Sequence, residues 1–289
     1  MRVILILTAL AVLLLPSAAP VAGTVATNES PRPTMTTATT NDISDLLGSF
    51  PPKDVASERT EQIFELTYHF YLRDAVGATQ ARTVVTGDYS RLPEGRFRWN
   101  NVTIAGGSAE GPLSPATPLQ VMEDFGYGLS EEIVDESLYE RFPGSDLRDL
   151  VKTMVWDGMM LELVDMTLDT SDALPLHEFV EVTGYEDFDV QMCDWGKLTM
   201  RDLRVKWSGV TMMHGEPCAV ALYQSFSNPV DAGPVSGRSC YWGQFWISLE
   251  DREIERLTLN EDILLETPSL GGATRVLNIQ REVDFEKRT

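Results

Sequence analysis

From Phe64 to Leu72 every second residue is apolar. Phe64, Leu66, Tyr68, Phe70 and Leu72 alternate with Glu65, Thr67, His69, Tyr71 and Arg73. A period of two over this length predicts a strand with one face on a core. Ala75-Val76-Gly77-Ala78 is turn-like, Arg82 to Gly87 reads as the return strand, and Arg96 to Ile104 gives another that ends at Gly106-Gly107.

The period then changes. Ser130 is a helix cap with Glu131 and Glu132 in the first turn, where they suit the dipole, and Ile133, Val134, Leu138 and Phe142 share a helical face. Pro143-Gly144 ends that element and Ser145 starts a second helix. Its buried side is lined by Leu147, Leu150, Val151, Met154 and Val155, and it continues to about Met166 across Gly158. Strands return at Leu203, Val205 and Trp207, after a parity change near Asp202 that suggests a bulge. Cys218 to Phe226, Tyr241 to Leu249, Ile254 to Leu264 and Arg275 to Phe285 follow. In the last of these Leu277, Ile279, Val283 and Phe285 share a face. Strands, two helices and a meander of strands predict an α+β fold, with two helices packed on one face of an antiparallel sheet.

The ends of the chain are different material. Arg2 precedes an apolar run from Val3 to Leu15, broken by Pro16 and Ser17 and followed by small residues to Gly23. That order is a signal peptide over residues 1–23, cleaved after Gly23 or, alternatively, at Ala22 or Ala26. The run is too short for a membrane helix, which needs about 20 residues, and no later segment approaches that length. Residues 24–57 are rich in Thr, Ser, Pro, Ala and Asn and read as a disordered tether. Residues 58–289 are expected to form a single, mainly β domain, exported to the periplasm or the extracellular space.

The chain carries 23 basic and 44 acidic residues. Such a field repels nucleic acid and anionic membranes. Cys193, Cys218 and Cys240 are an odd set, so at least one thiol is unpaired within the chain. A Cys218–Cys240 bridge and buried free thiols both remain open.

No motif forces a reaction. His69, His177 and His214 lack metal-ligand spacing, and the loop with Asp187, Asp189 and Asp194 lacks the glycine and glutamate of an EF-hand. Neither a nucleophile elbow nor a phosphate or dinucleotide loop is present, so no metal and no cofactor is expected. The distinctive feature is aromatic: Trp195, Trp207, Tyr241, Trp242, Phe245 and Trp246 crowd the C-terminal part, accompanied by Met154, Met159, Met160, Met166, Met192, Met200, Met212 and Met213. Such residues fill cores readily; the rival is an apolar cavity between sheet and helices. Met154, Trp207, Tyr241, Phe245 and Ile247 are the candidates for its lining.

Met154-Val155-Trp156-Asp157-Gly158, Gly237-Arg238-Ser239, Tyr241-Trp242-Gly243 and Leu249 to Glu255 resemble stretches of uncharacterised exported bacterial proteins, which imply no activity. The order of elements is similar to that of half-barrel lipoprotein-carrier and lipid-binding proteins of the bacterial envelope. That likeness implies a curved sheet around a hydrophobic cavity, although the lipidated cysteine of the anchored members is missing. Three functions follow as expectations. The first is a non-catalytic binder of an apolar ligand such as a lipid acyl chain. The second is a carboxylate-dependent hydrolase of envelope or extracellular polymers, with Asp157 as its first residue to test. The third is a structural or interaction module.

Overall fold

The alternation at Phe64 becomes β1 (Gln62–Arg73), and it pairs on both sides: with β2 (Thr79–Leu92) and with β13 (Thr274–Lys287), the last strand. The computed structural model describes residues 61–288, apart from 129–130, 171–175, 185–186, 192–195, 234 and 269–273. The signal peptide and the tether lie outside the described residues, as do Cys193, Asp194 and Trp195.

The remaining strands are β3 (Arg96–Ser108), β4 (Thr117–Pro118), β5 (Phe125–Gly128), β6 (Val180–Glu181), β7 (Phe188–Gln191) and β8 (Lys197–Met200). β9 (Arg204–Met213), β10 (Glu216–Ala232), β11 (Val235–Ser248) and β12 (Ile254–Pro268) complete the set. They form one open, curved antiparallel sheet of 13 strands, in the order β4-β3-β2-β1-β13-β12-β11-β10-β8-β7, with β5 on β3 and β9 on β10. The parity change near Asp202 is therefore a break between β8 and β9, which pair with opposite ends of the long β10.

The sheet dominates the structure, and the expected α+β fold with two helices is not found. Among the described residues there is one α-helix, α1 (Ser145–Thr170). The segment expected to form the first helix makes two 3-10 turns instead, Glu131–Val134 and Glu136–Tyr139. Asp135 explains the interruption. Its backbone is extended (φ −83°, ψ 118°) and its side chain accepts a bond from the Ser137 amide at 2.9 Å. A short acidic side chain that caps its neighbour offers the backbone an alternative to continuing the helix.

Hydrophobic burial sets the position of α1. Leu150, Val151, Met154, Val155, Leu161 and Val164 join one cluster with Phe64, Leu66 and Tyr68 of β1, Phe97 and Trp99 of β3, and Phe245, Leu257, Val283 and Phe285. These strand residues obey the period of two, so they line the face of the sheet on which the helix packs. Rings pack at close range where β1–β3 meet β13: Tyr89 and Trp99 are tilted with centroids 4.8 Å apart, and Tyr89 and Phe285 meet edge to face at 5.3 Å. No helix among the described residues is long and apolar enough to cross a membrane.

Candidate functional site

All five predicted lining residues are brought together in the main cluster. Met154 and Phe245 are fully buried, and Trp207, Tyr241 and Ile247 nearly so. Phe245 and Ile247 lie on β11, where Phe245 pairs with Ala221 and Leu257 of its two neighbours. The turn between β10 and β11 is at Gly233, because both strands run on past the Phe226 and Tyr241 bounds expected from sequence. Cys218 consequently pairs with Ser248, eight residues along β11 from Cys240. Cys218 and Cys240 are both free thiols. Burial, together with Glu255 and Glu216, pushes the Cys218 thiol up to about 12.

Tyr223 shows how closely this wall is built. It lies opposite Gly243, and its hydroxyl donates to the Thr258 carbonyl at 2.9 Å, one strand further on. A Cβ on residue 243 would stand 1.9 Å from that carbonyl and 2.5 Å from the hydroxyl, so only glycine fits under the ring.

The wall is interrupted by charge. Arg281 of β13 pairs with Glu261 of β12, which pairs with Tyr241 of β11, and that residue pairs with Ser225 of β10. The result is a polar row across the inward face. Arg281 Nη1 donates to Asp157 Oδ2 of α1 at 2.6 Å, Arg281 Nη2 pairs with Glu261, and the Ser239 hydroxyl donates to the other Glu261 oxygen at 2.5 Å. Every member is buried. Asp157 also meets the Tyr68 hydroxyl. Burial pushes the Asp157 carboxyl up to about 6, against the opposing pull of Arg281 and of the Tyr68 bond. Burial likewise holds the Tyr68 hydroxyl well above its ordinary value, and the Asp157 charge adds to that.

A second anchor lies further along the helix. Arg91 of β2 donates to Glu162 and to Asp165, each at 2.6 Å. Nearer the start of α1, Lys152 pairs with Glu136 at 2.8 Å. Between these charges, Gly158 lets the helix approach the rings: a Cβ there would be 2.9 Å from both the Tyr89 and Tyr127 hydroxyls. The helix inside this sheet is thus seated by ion pairs as much as by apolar packing.

Asp157 is the one member of this network singled out from sequence. Arg281, Glu261, Ser239 and Arg91 were missed. Their signal was present as a gap: Arg281 is the polar residue on the Leu277, Ile279, Val283, Phe285 face, and Glu261 sits between Leu259 and Ile263 on β12. His69, His177 and His214 do not converge, and among the described residues no group of three or more His, Cys, Asp or Glu could hold a metal ion. Asp189 is held by Lys197 and Thr199, and Asp187 by Arg201, so both carboxylates already have protein partners.

No family model matches the chain, and no curated protein does. Among solved structures it is similar to lipovitellin, in a structure described for its lipid–protein interactions, with a TM-score of 0.42 and 9% identity. That match covers 80% of this chain but 25% of the other, so this chain spans a quarter of lipovitellin's length. A DUF1329 family protein from Desulfovibrio piger ATCC 29098 matches with a TM-score of 0.14 and 9% identity, over 86% of this chain and 92% of that one. At these scores neither likeness assigns a fold family or a function.

Proposed function

We propose that this chain is an exported, non-catalytic holder of an apolar ligand such as a lipid acyl chain. The ligand lies against the inward face of the sheet, in the place α1 covers. One observation supports this reading above the others: apart from Arg91 and the row with Arg281 and Glu261, the wall is apolar and aromatic, while the helix upon it carries Lys152, Asp157, Glu162 and Asp165, all engaged in ion pairs. Buried ion pairs recover little more than their desolvation cost, and apolar side chains in their place often stabilise as much or more. When a helix seated this way lifts, its charges regain hydration, and an acyl chain in its place offsets the apolar contacts that Leu150, Val151, Met154, Val155, Leu161 and Val164 give up, so it is a cover that a ligand can displace. Met154, Met159 and Met160 on the same helix are flexible enough to repack against a chain of variable shape.

Native mass spectrometry and lipid extraction of the purified mature protein test the proposal. An extra mass released by organic solvent, identified as an acyl lipid, is the expected result. Protein that carries no ligand and binds no apolar probe would remove it.

The hydrolase reading keeps one supporting observation. Asp157 and Glu261 are two buried carboxylates on one guanidinium, and a carboxyl pushed up to about 6 is in the range of a general acid. A screen against polysaccharide and ester substrates decides it: full activity in Asp157→Asn excludes Asp157 as the acid.

A further inference from the structure

The opposite face of the same sheet carries a groove of about 390 Å³, lined, apart from Tyr223 and Gly243, by residues on the face away from α1. Two rows of cross-strand neighbours form its floor. In one row Gln224, Trp242 and Asn260 stand side by side on β10, β11 and β12; in the next stand Leu222, Gln244 and Thr258. Trp242 is therefore an aromatic plate with an amide on each side, one strand spacing away, or about 4.8 Å. Phe226 stands beside it, ring centroids 6.5 Å apart, and Phe179 closes the rim. Phe226 and Phe179 are exposed.

The amides have capacity to spare. Neither the Gln224 nor the Gln244 side chain has a hydrogen-bond partner among the described residues, and Asn260 makes one long contact, 3.5 Å, to the Trp242 carbonyl. Among the described residues no charged one lines the groove, although the whole chain has a net charge of −21. Its flanks carry Arg204 and Lys206 on β9 and Glu282 and Asp284 on β13, each with a contact of its own; Glu282 accepts from the Gln280 amide at 3.1 Å. Arg204 pairs with Asp202 at 2.8 Å, Lys206 lies 4.5 Å over the Phe179 ring, and Asp284 is held by Arg256 at 2.9 Å.

From this arrangement we infer that the groove binds a neutral saccharide. A pyranose ring has an apolar C–H face and an equatorial belt of hydroxyls. The face matches the Trp242 plate, and the hydroxyls match amides that both donate and accept. An acyl chain fits the same space badly, because it would strip water from three amides and offer nothing back. A phosphate or a sulfate would find no cation on the floor of the groove, and at its rim Lys206, which lies over the Phe179 ring. The groove lies on the far side of the sheet from α1, so it neither requires nor replaces the apolar site proposed there.

The test uses the mature protein with short linear oligosaccharides of glucose, galactose and N-acetylglucosamine, read by saturation-transfer NMR and by tryptophan fluorescence. Binding of at least one neutral series is expected. Trp242→Ala should weaken it about tenfold, the loss of one stacking partner. Asn260→Leu should weaken it too, with the urea unfolding curves of both variants unchanged. Asn260→Leu keeps the readout meaningful if Trp242→Ala proves unstable. Three results would overturn the assignment: no binding by any neutral series, binding that survives Trp242→Ala in a folded protein, or a Trp242-dependent interaction with phospholipid vesicles or sulfated sugars instead.

Discussion

Arg281 of β13 holds Asp157 of α1 at 2.6 Å, a bond between residues 124 apart in the chain. It ties the helix to the centre of the sheet, and the same guanidinium holds Glu261. Arg281→Met would leave two buried carboxylates without a cation. A loss of about 3–5 kcal/mol is expected, because breaking a buried pair exposes the full desolvation cost of what remains. Replacing all three residues together by Met and Leu should recover most of that loss. Urea unfolding of the single and triple variants measures both.

Burial of the same carboxyl, against the pull of Arg281, sets a pH dependence. The Asp157 carboxyl is pushed up to about 6, whereas an aspartate in an unfolded chain titrates near 3.9. The folded state therefore holds this proton more tightly. Its contribution to stability is complete below about pH 4 and is lost as pH rises through about 6. Subtracting the stability of Asp157→Asn from that of the wild type isolates the effect. The difference should fall by about 3 kcal/mol between those limits and be flat above them. A difference that rises with pH would mean the charged form is the favoured one.

Phe245 sits at the middle of the wall, fully buried between Ala221 and Leu257. Phe245→Ala should cost about 3–5 kcal/mol, the usual range for emptying such a site. A loss below about 1 kcal/mol would mean that the wall collapses onto the gap or is exposed.

Gly243→Ala removes no contact and still should destabilise. Its Cβ would meet a backbone carbonyl at 1.9 Å, which cannot rotate away as a side chain can. A loss of about 2 kcal/mol or more in thermal or urea unfolding is expected, within the range for overpacking. Adding Tyr223→Ala should not rescue it, because the carbonyl belongs to Thr258.

Local alternation carried most of the strand assignment: β1 was legible from Phe64 to Leu72, and the hairpin around Phe245 from its aromatic and β-branched residues. The helix count was not legible. Ile133, Val134, Leu138 and Phe142 do recur at helical spacing, but one capping contact by Asp135 outweighs that period. Gly158 lowers helix propensity in isolation, yet α1 runs through it, because the gain is tertiary: the glycine admits two tyrosine hydroxyls. The buried network was hidden for another reason. With 44 acidic residues in the chain, nothing local distinguishes Glu261 from a solvated one; the register that sets it against Arg281 does.

The central claim is that α1 is a displaceable cover over an apolar wall. Hydrogen–deuterium exchange of its amides, with and without oleate, addresses this directly. Bound oleate should speed exchange over residues 150–165 and slow it in β11–β13, as the helix lifts and the chain takes its place. Unchanged protection of the helix at saturating oleate, or no binding of oleate at all, would contradict the account.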